Sequence, residues 1–214
     1  MGFSIAIDGY VAAGKGTLAS LIARKYGFVY LDTGAIYRAV TYAFIHSDHK
    51  NINKVLEEID IEITSDNRVF VDGKEVTLEL RMQDVNDAVS MICQFQQVRE
   101  FATDYARRVA KGRSIVMDGR DIGSVVLPDA NVKFVIMATV ESRVKRRYEQ
   151  NKQKGLKISE EEVKNNIIKR DNIDKRNIVI YEDTIVIDNT NQSLEESLRI
   201  MCSHIDRNLG YTYD

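Results

Sequence analysis

Apolar positions along the chain follow two rhythms. Ser4-Ile5-Ala6-Ile7-Asp8 is a short, mostly β-branched run halted by a glycine, the pattern of a strand buried on both faces of a parallel sheet. Residues 9–16 form a small-residue turn. From Thr17 to Tyr26 the apolar residues Leu18, Leu21, Ile22 and Tyr26 recur at helical spacing, and Gly27 stands where a helix stops on a left-handed residue. The alternation continues: strand over 28–31, helix over 35–45, strands over 114–117, 132–137 and 184–187, and a closing helix over 194–208. Strands alternating with helices predict an α/β fold with a doubly wound parallel sheet.

Two stretches depart from this rhythm. Residues 59–80 alternate with period two (Ile61, Ile63, then Val69, Val71, then Val76, Leu78) around the turn pairs Asp66-Asn67 and Asp72-Gly73, which predicts a small antiparallel insert. Residues 149–172 are strongly polar. Ser159 followed by Glu160, Glu161 and Glu162 is a capping-box start for a charged helix. With so few apolar residues, this stretch reads as a mobile flap outside the core. The resulting division is a core of 1–36, 86–148 and 173–214, an insert of 37–85 and a lid of 149–172.

Composition narrows the class. At 214 residues and 44% hydrophobic content the chain can bury one sizeable core. The net charge of −2 argues against a nucleic-acid partner, which calls for a basic surface. Cys93 and Cys202 are far apart and form no C-x-x-C pair, so a reducing, cytoplasmic setting is expected. The first residues lack the pattern of a secretory signal, Ala6 replaces the Ser or Thr of a myristoylation site, and no apolar run approaches a membrane span of ~20 residues; no membrane partner is expected.

The strongest chemical signal is Gly9-Tyr10-Val11-Ala12-Ala13-Gly14-Lys15-Gly16-Thr17, a G-x-x-x-x-G-K phosphate loop between a strand and a helix. Backbone N–H groups and the helix dipole favour an anion there, and Lys15 adds a point charge for the β- and γ-phosphates. ATP is therefore expected against Gly9, Ala12, Ala13, Gly14, Lys15, Gly16 and Thr17. Gly16 takes the place of the Ser or Thr that usually follows the lysine. Mg²⁺ is expected with the ATP, held through water rather than directly, with Asp32 and Thr17 as the candidate residues. Asp32 has a second reading, as the cap of the helix beginning near Thr33. Arg143, Arg146 and Arg147 share one face of a helix starting near Thr139; the alternative to an anion-binding role is a solvated charged face. The pair His46 and His49 has no Cys or His partners nearby in the sequence and reads as surface.

The glycine between lysine and threonine resembles the nucleoside monophosphate kinases. Leu31-Asp32-Thr33-Gly34-Ala35-Ile36-Tyr37-Arg38, Val98-Arg99-Glu100 and Asp118-Gly119-Arg120-Asp121-Ile122-Gly123 together resemble bacterial-type cytidylate kinases over nearly the whole chain. The resemblance implies a P-loop α/β/α fold, an insert enlarged for the monophosphate, a monomer, and transfer of phosphate from ATP to CMP or dCMP. It implies acceptor binding by Thr33, Tyr37, Arg38, Ser90, Arg99, Arg120, Asp121, Arg170 and Asp174. Arg38 and Arg120 would hold the phosphate, Ser90, Arg99 and Asp121 the cytosine, and Arg170 and Asp174 the phosphate and sugar. Lys15, Arg120, Arg143 and Arg147 would be the catalytic cations. The chain departs from the family pattern at Tyr10, Val11 and Ala12, and at Asn177, where an arginine is usual; Arg176 lies one position early. Two other readings stand beside this one: a P-loop kinase for another small acceptor, and a catalytically weak nucleotide-binding regulator.

Overall fold

The computed structural model describes residues 2–153 and 155–211. Met1, Lys154 and residues 212–214, which fall in the expected core and lid, lie outside the described residues.

Five parallel strands form the central sheet: β1 (Ser4–Gly9), β2 (Val29–Asp32), β6 (Ile115–Gly119), β7 (Val132–Met137) and β8 (Thr184–Asp188), in the order β2-β6-β1-β7-β8. Alternate side chains leave the sheet on opposite faces, as the pleat requires. Ile5, Ile7, Val116, Phe134 and Ile136 pack under α1 (Lys15–Tyr26) and α8 (Leu194–Leu209), and Ala6, Leu31, Ile115 and Met117 face α2 (Thr33–His46) and α5 (Gln96–Ala110). The result is three layers, α/β/α, as expected. Gly27 closes α1 in the left-handed conformation (φ 67°).

The small insert holds α3 (Ile52–Glu58) and an antiparallel sheet of β3 (Ile61–Ile63), β4 (Val69–Val71) and β5 (Lys74–Glu75). Ile61 pairs with Val71 and Ile63 with Val69, the alternation read from the sequence. The third strand is shorter than that alternation suggests. It ends at Glu75, and the Leu80 N–H donates to the Val76 carbonyl, starting a 3₁₀ turn (Glu79–Arg81) that leaves Leu78 exposed. Next comes α4 (Gln83–Ile92).

The polar stretch forms a helical hairpin of α6 (Val140–Gln153) and α7 (Glu160–Asp174). Ser159 and Glu162 make the expected capping box. The segment contributes no residue to the apolar clusters on the two faces of the central sheet; Val163 and Ile167 are buried instead in a small separate cluster with Val144 and Val11. Two apolar residues one helical turn apart suffice for this contact, too few to register as a hydrophobic period.

Candidate active site

Strand order decides where the chemistry gathers. In a parallel sheet of this kind ligands settle outside the carboxyl ends of the strands, and β1, β6 and β2 end side by side at Gly9, Asp118-Gly119 and Asp32. A cavity of about 260 Å³ opens there, between the insert and the helical hairpin.

The phosphate loop runs from β1 into α1. Gly9 has φ 145°, and a Cβ there would lie 2.2 Å from the Ile136 carbonyl oxygen, so only glycine lets the loop leave the sheet at this point. Ala12 adopts φ 60°, a left-handed conformation that glycine takes more easily. Lys15 is buried and its Nζ donates to the Tyr10 carbonyl at 2.8 Å. Burial and the neighbouring Arg120 lower its pKa to about 7, against the opposing pull of Asp118, Asp174 and Asp8. Asn189 supports the loop from beneath, its Nδ2 donating to the Ala13 carbonyl at 2.8 Å.

Gly16 has a local explanation. A Cβ at that position would come within 3.3 Å of the Tyr30 hydroxyl and 3.8 Å of Asp118 Oδ2. A side chain there would crowd a pair in which Tyr30 donates to Asp118 Oδ1 at 2.7 Å. Thr17, the next residue, is exposed on the first turn of α1.

Of the residues expected at the acceptor, Thr33, Tyr37, Arg38, Ser90, Arg99, Arg120, Asp121, Arg170 and Asp174 all line the cavity, with Lys15, Ala12, Asp32 and Arg147. Arg99 and Asp121 form a direct ion pair through Nη2 and Oδ2. Arg120 Nε donates to Asp174 Oδ2 at 2.6 Å. The Nε of Arg38 is buried without a hydrogen-bond partner, and burial lowers its pKa. A buried guanidinium nitrogen with nothing to donate to is ready for an anion. Seven arginines and one lysine face four aspartates around this cavity, so its interior favours anions.

Arg143 and Arg147 part company. Arg147 faces the cavity, whereas Arg143 lies beneath the phosphate loop, only 3% exposed, bidentate on Asp171 and donating to the carbonyls of Ala138 and Val11. Gly9, Ala13, Gly14, Gly16 and Thr17 belong to the loop and helix start rather than to the cavity wall. Asp32 stands at the helix N-cap position, but its side chain makes no capping bond. Arg176 and Asn177 both reach the wall. His46 and His49 are exposed, and among the described residues no group of three potential ligands could hold a metal.

Three residues escaped the sequence reading. Arg81, at the end of the 3₁₀ turn, lines the cavity with Arg38 and Arg147; burial lowers the pKa of both, and the charge of Arg81 adds to the fall. Asp118 pairs in register with Asp32 across β6 and β2, and burial beside that second carboxylate raises its pKa to about 6. Asp8, at the end of β1, is buried and bound to backbone. The sequence signal for Asp8 was an acid closing an apolar strand, and Asp118 opens the Asp118-Gly119-Arg120-Asp121 segment without a role of its own; Arg81 had none.

Comparison with known proteins agrees with this geometry. The family model described as cytidylate kinase matches residues 5–207. The cytidylate kinase of Caldanaerobacter subterraneus subsp. tengcongensis is 41% identical, with 95% of each chain covered. That of Bacillus subtilis is 40% identical over 90% of this chain and 92% of its own. Among solved structures, the shikimate kinase of Bacteroides thetaiotaomicron has a TM-score of 0.51 at 13% identity, covering 95% of this chain and 98% of its own. An uncharacterized protein from Eubacterium ventriosum has a TM-score of 0.55 at 16% identity, covering 97% and 99%. The structural likeness shows a shared fold, and the sequence likeness shows that the chain belongs to the cytidylate kinase family.

Proposed function

We propose that this protein transfers the γ-phosphoryl group of ATP to CMP or dCMP, releasing ADP and the cytidine diphosphate. The observation that carries the reading is the Arg99–Asp121 pair at the wall of a cation-lined cavity beside the phosphate loop. A carboxylate accepts from the cytosine N4 amino group and a guanidinium donates to N3 and O2; this pair offers both, with Ser90 alongside. Arg38, Arg120 and Arg81 suit the acceptor phosphate, because guanidiniums match its oxygens and stay charged. Tyr37 and Thr33 line the acceptor side, and Arg170 and Asp174 approach from the hairpin.

On the donor side, the loop N–H groups of residues 12–17 and Lys15 receive the triphosphate, and Arg147 covers it. Arg143 acts from below as a support for the loop. Asp32 and Asp118 provide adjacent oxygen donors, a set that suits Mg²⁺ held through water; when bound, that ion neutralises phosphate charge. An acceptor phosphate is already ionised near neutral pH, so no strong base is required. Alignment of the two phosphates and charge stabilisation by Lys15, Arg120 and Arg147 then supply the catalysis. Arg176 is the candidate for the arginine absent at Asn177. In this reading 37–85 is the acceptor-binding unit, 149–172 the lid, and the rest the core.

Steady-state ADP production from Mg-ATP with CMP, dCMP, UMP, AMP and GMP tests the proposal. Turnover confined to cytosine nucleotides supports it; efficient turnover with AMP or GMP, or with none of the five, refutes it.

A further inference from the structure

We infer that Asp8 is a positioning residue for the acceptor site: from behind the cavity its carboxylate clamps the backbone that aims Asp121. The inference rests on the acceptor assignment made above for Arg99 and Asp121.

Asp8 is the last residue of β1 before Gly9 and is only 4% exposed. It does not line the cavity. Its Oδ1 accepts from the Ile122 N–H at 2.8 Å and its Oδ2 from the Gly123 N–H at 2.8 Å, one donor for each oxygen. Those N–H groups open a short π-type turn (Ile122–Val126) whose first cap is Asp121 itself. On the other side of Asp121, Gly119 is held in register opposite Asp8 by the β1–β6 pairing. The two residues flanking Arg120-Asp121 are therefore both fixed to one residue of β1, and the Asp121 side chain projects between them to Arg99.

A carboxylate is the side chain this arrangement requires. Its two oxygens both accept, whereas an asparagine offers one acceptor and would turn its amide N–H₂ toward a backbone donor. A charged acceptor also makes the stronger bond to an N–H. Burial raises the Asp8 pKa to about 6, and Asp121 adds to the rise, while the two N–H bonds and Lys15 oppose it; at neutral pH the ionised form prevails. Among the described residues these are the hydrogen bonds that tie the 122–123 backbone to β1, so the orientation of Asp121 depends on them more than that of the phosphate loop does.

Steady-state kinetics of Asp8→Asn, with CMP and ATP varied separately, test the inference. The expected result is a KM for CMP raised roughly 10- to 100-fold, an ATP KM within about threefold of wild type, and a smaller preference for CMP over UMP. A merely structural loss would lower kcat by reducing the folded fraction and leave both KM values in place; that outcome overturns the inference. An ATP KM rising as far as that of CMP also overturns it, because Asp8 would then be serving the phosphate loop. If Asp8→Asn is not recovered folded, Asp8→Ser, whose short hydroxyl cannot accept from both N–H groups as the carboxylate does, should show the same split, and an unchanged CMP KM there is equally fatal. Wild type that fails to phosphorylate CMP refutes the function rather than the positioning role, so the two failures are distinguishable.

Discussion

The helical hairpin is tied to the phosphate loop by one buried cation and the small apolar cluster around Val11, and removing the cation's partner should loosen α7. Arg143 is 3% exposed and donates to Asp171 through Nη1 (2.9 Å) and Nη2 (2.6 Å). It also reaches the Ala138 carbonyl at 3.0 Å and the Val11 carbonyl at 3.3 Å, with the Tyr10 ring 5.3 Å away. Breaking a fully buried pair by deleting one partner costs about 3–5 kcal/mol. Here the Asp171 side chain is 18% exposed and the guanidinium keeps two carbonyl partners, so Asp171→Asn should cost about 2–3 kcal/mol. The loss should fall on the hairpin and not on the sheet, because the pair joins α6 to α7 and α7 buries only Val163 and Ile167. At about 1.4 kcal/mol per decade, amide hydrogen exchange in residues 160–174 should accelerate roughly 30- to 150-fold, with β1 and β6 unaffected. Exchange in α7 within about threefold of wild type would refute the tether. So would an equal acceleration by Asp171→Asn in an Arg143→Met background, where the pair no longer exists.

Two further outcomes follow from the cavity. Arg120→Met should lower kcat/KM for CMP by at least about 100-fold while the Kd for ATP, measured by calorimetry, stays within about threefold; an equal loss of ATP affinity would sink the acceptor assignment. Burial lowers the Lys15 pKa from 10.5 to about 7, so at pH 8 the side chain in the free protein should be largely the neutral amine, whereas a bound triphosphate favours the ammonium form. ATP binding should therefore take up about one proton at pH 8, and affinity should fall up to about tenfold per pH unit above that. Calorimetry in two buffers of different ionisation enthalpy reads the proton directly, and the absence of buffer dependence would refute it.

The features that were legible from sequence are those in which cause and effect lie within a few residues. A phosphate loop is a contiguous strand, turn and helix, so Gly9, Gly14 and Lys15 declare themselves by spacing. Gly27 and the Ser159–Glu162 capping box likewise act over one helical turn. Most acceptor residues were found through the resemblance carried by the Thr33–Arg38, Arg99 and Arg120–Asp121 segments, and the structure brings them to one cavity. The helix over 33–46 and the strand over 29–32 were placed within a residue or two of their expected ends.

What sequence did not reveal depends on partners far along the chain. Arg143 and Arg147 share a face of α6 by helical arithmetic, yet packing against Asp171 takes one beneath the loop and leaves the other at the cavity. Arg81 becomes part of the site only because the insert folds back over α2. The roles of Asp8 and Asp118 require β1 to lie between β6 and β7, and β6 between β1 and β2. An aspartate closing an apolar strand looks the same in the sequence whether it meets solvent, two backbone N–H groups 114 and 115 residues away, or a tyrosine 88 residues back. The sequence by itself determined the α/β alternation, the phosphate loop and the class of anion it receives, because hydrogen bonding and periodicity there are local. The tertiary structure alone decided which buried carboxylates face one another and which arginine is free to reach the cavity, because charge–charge energy and burial depend on distance through space.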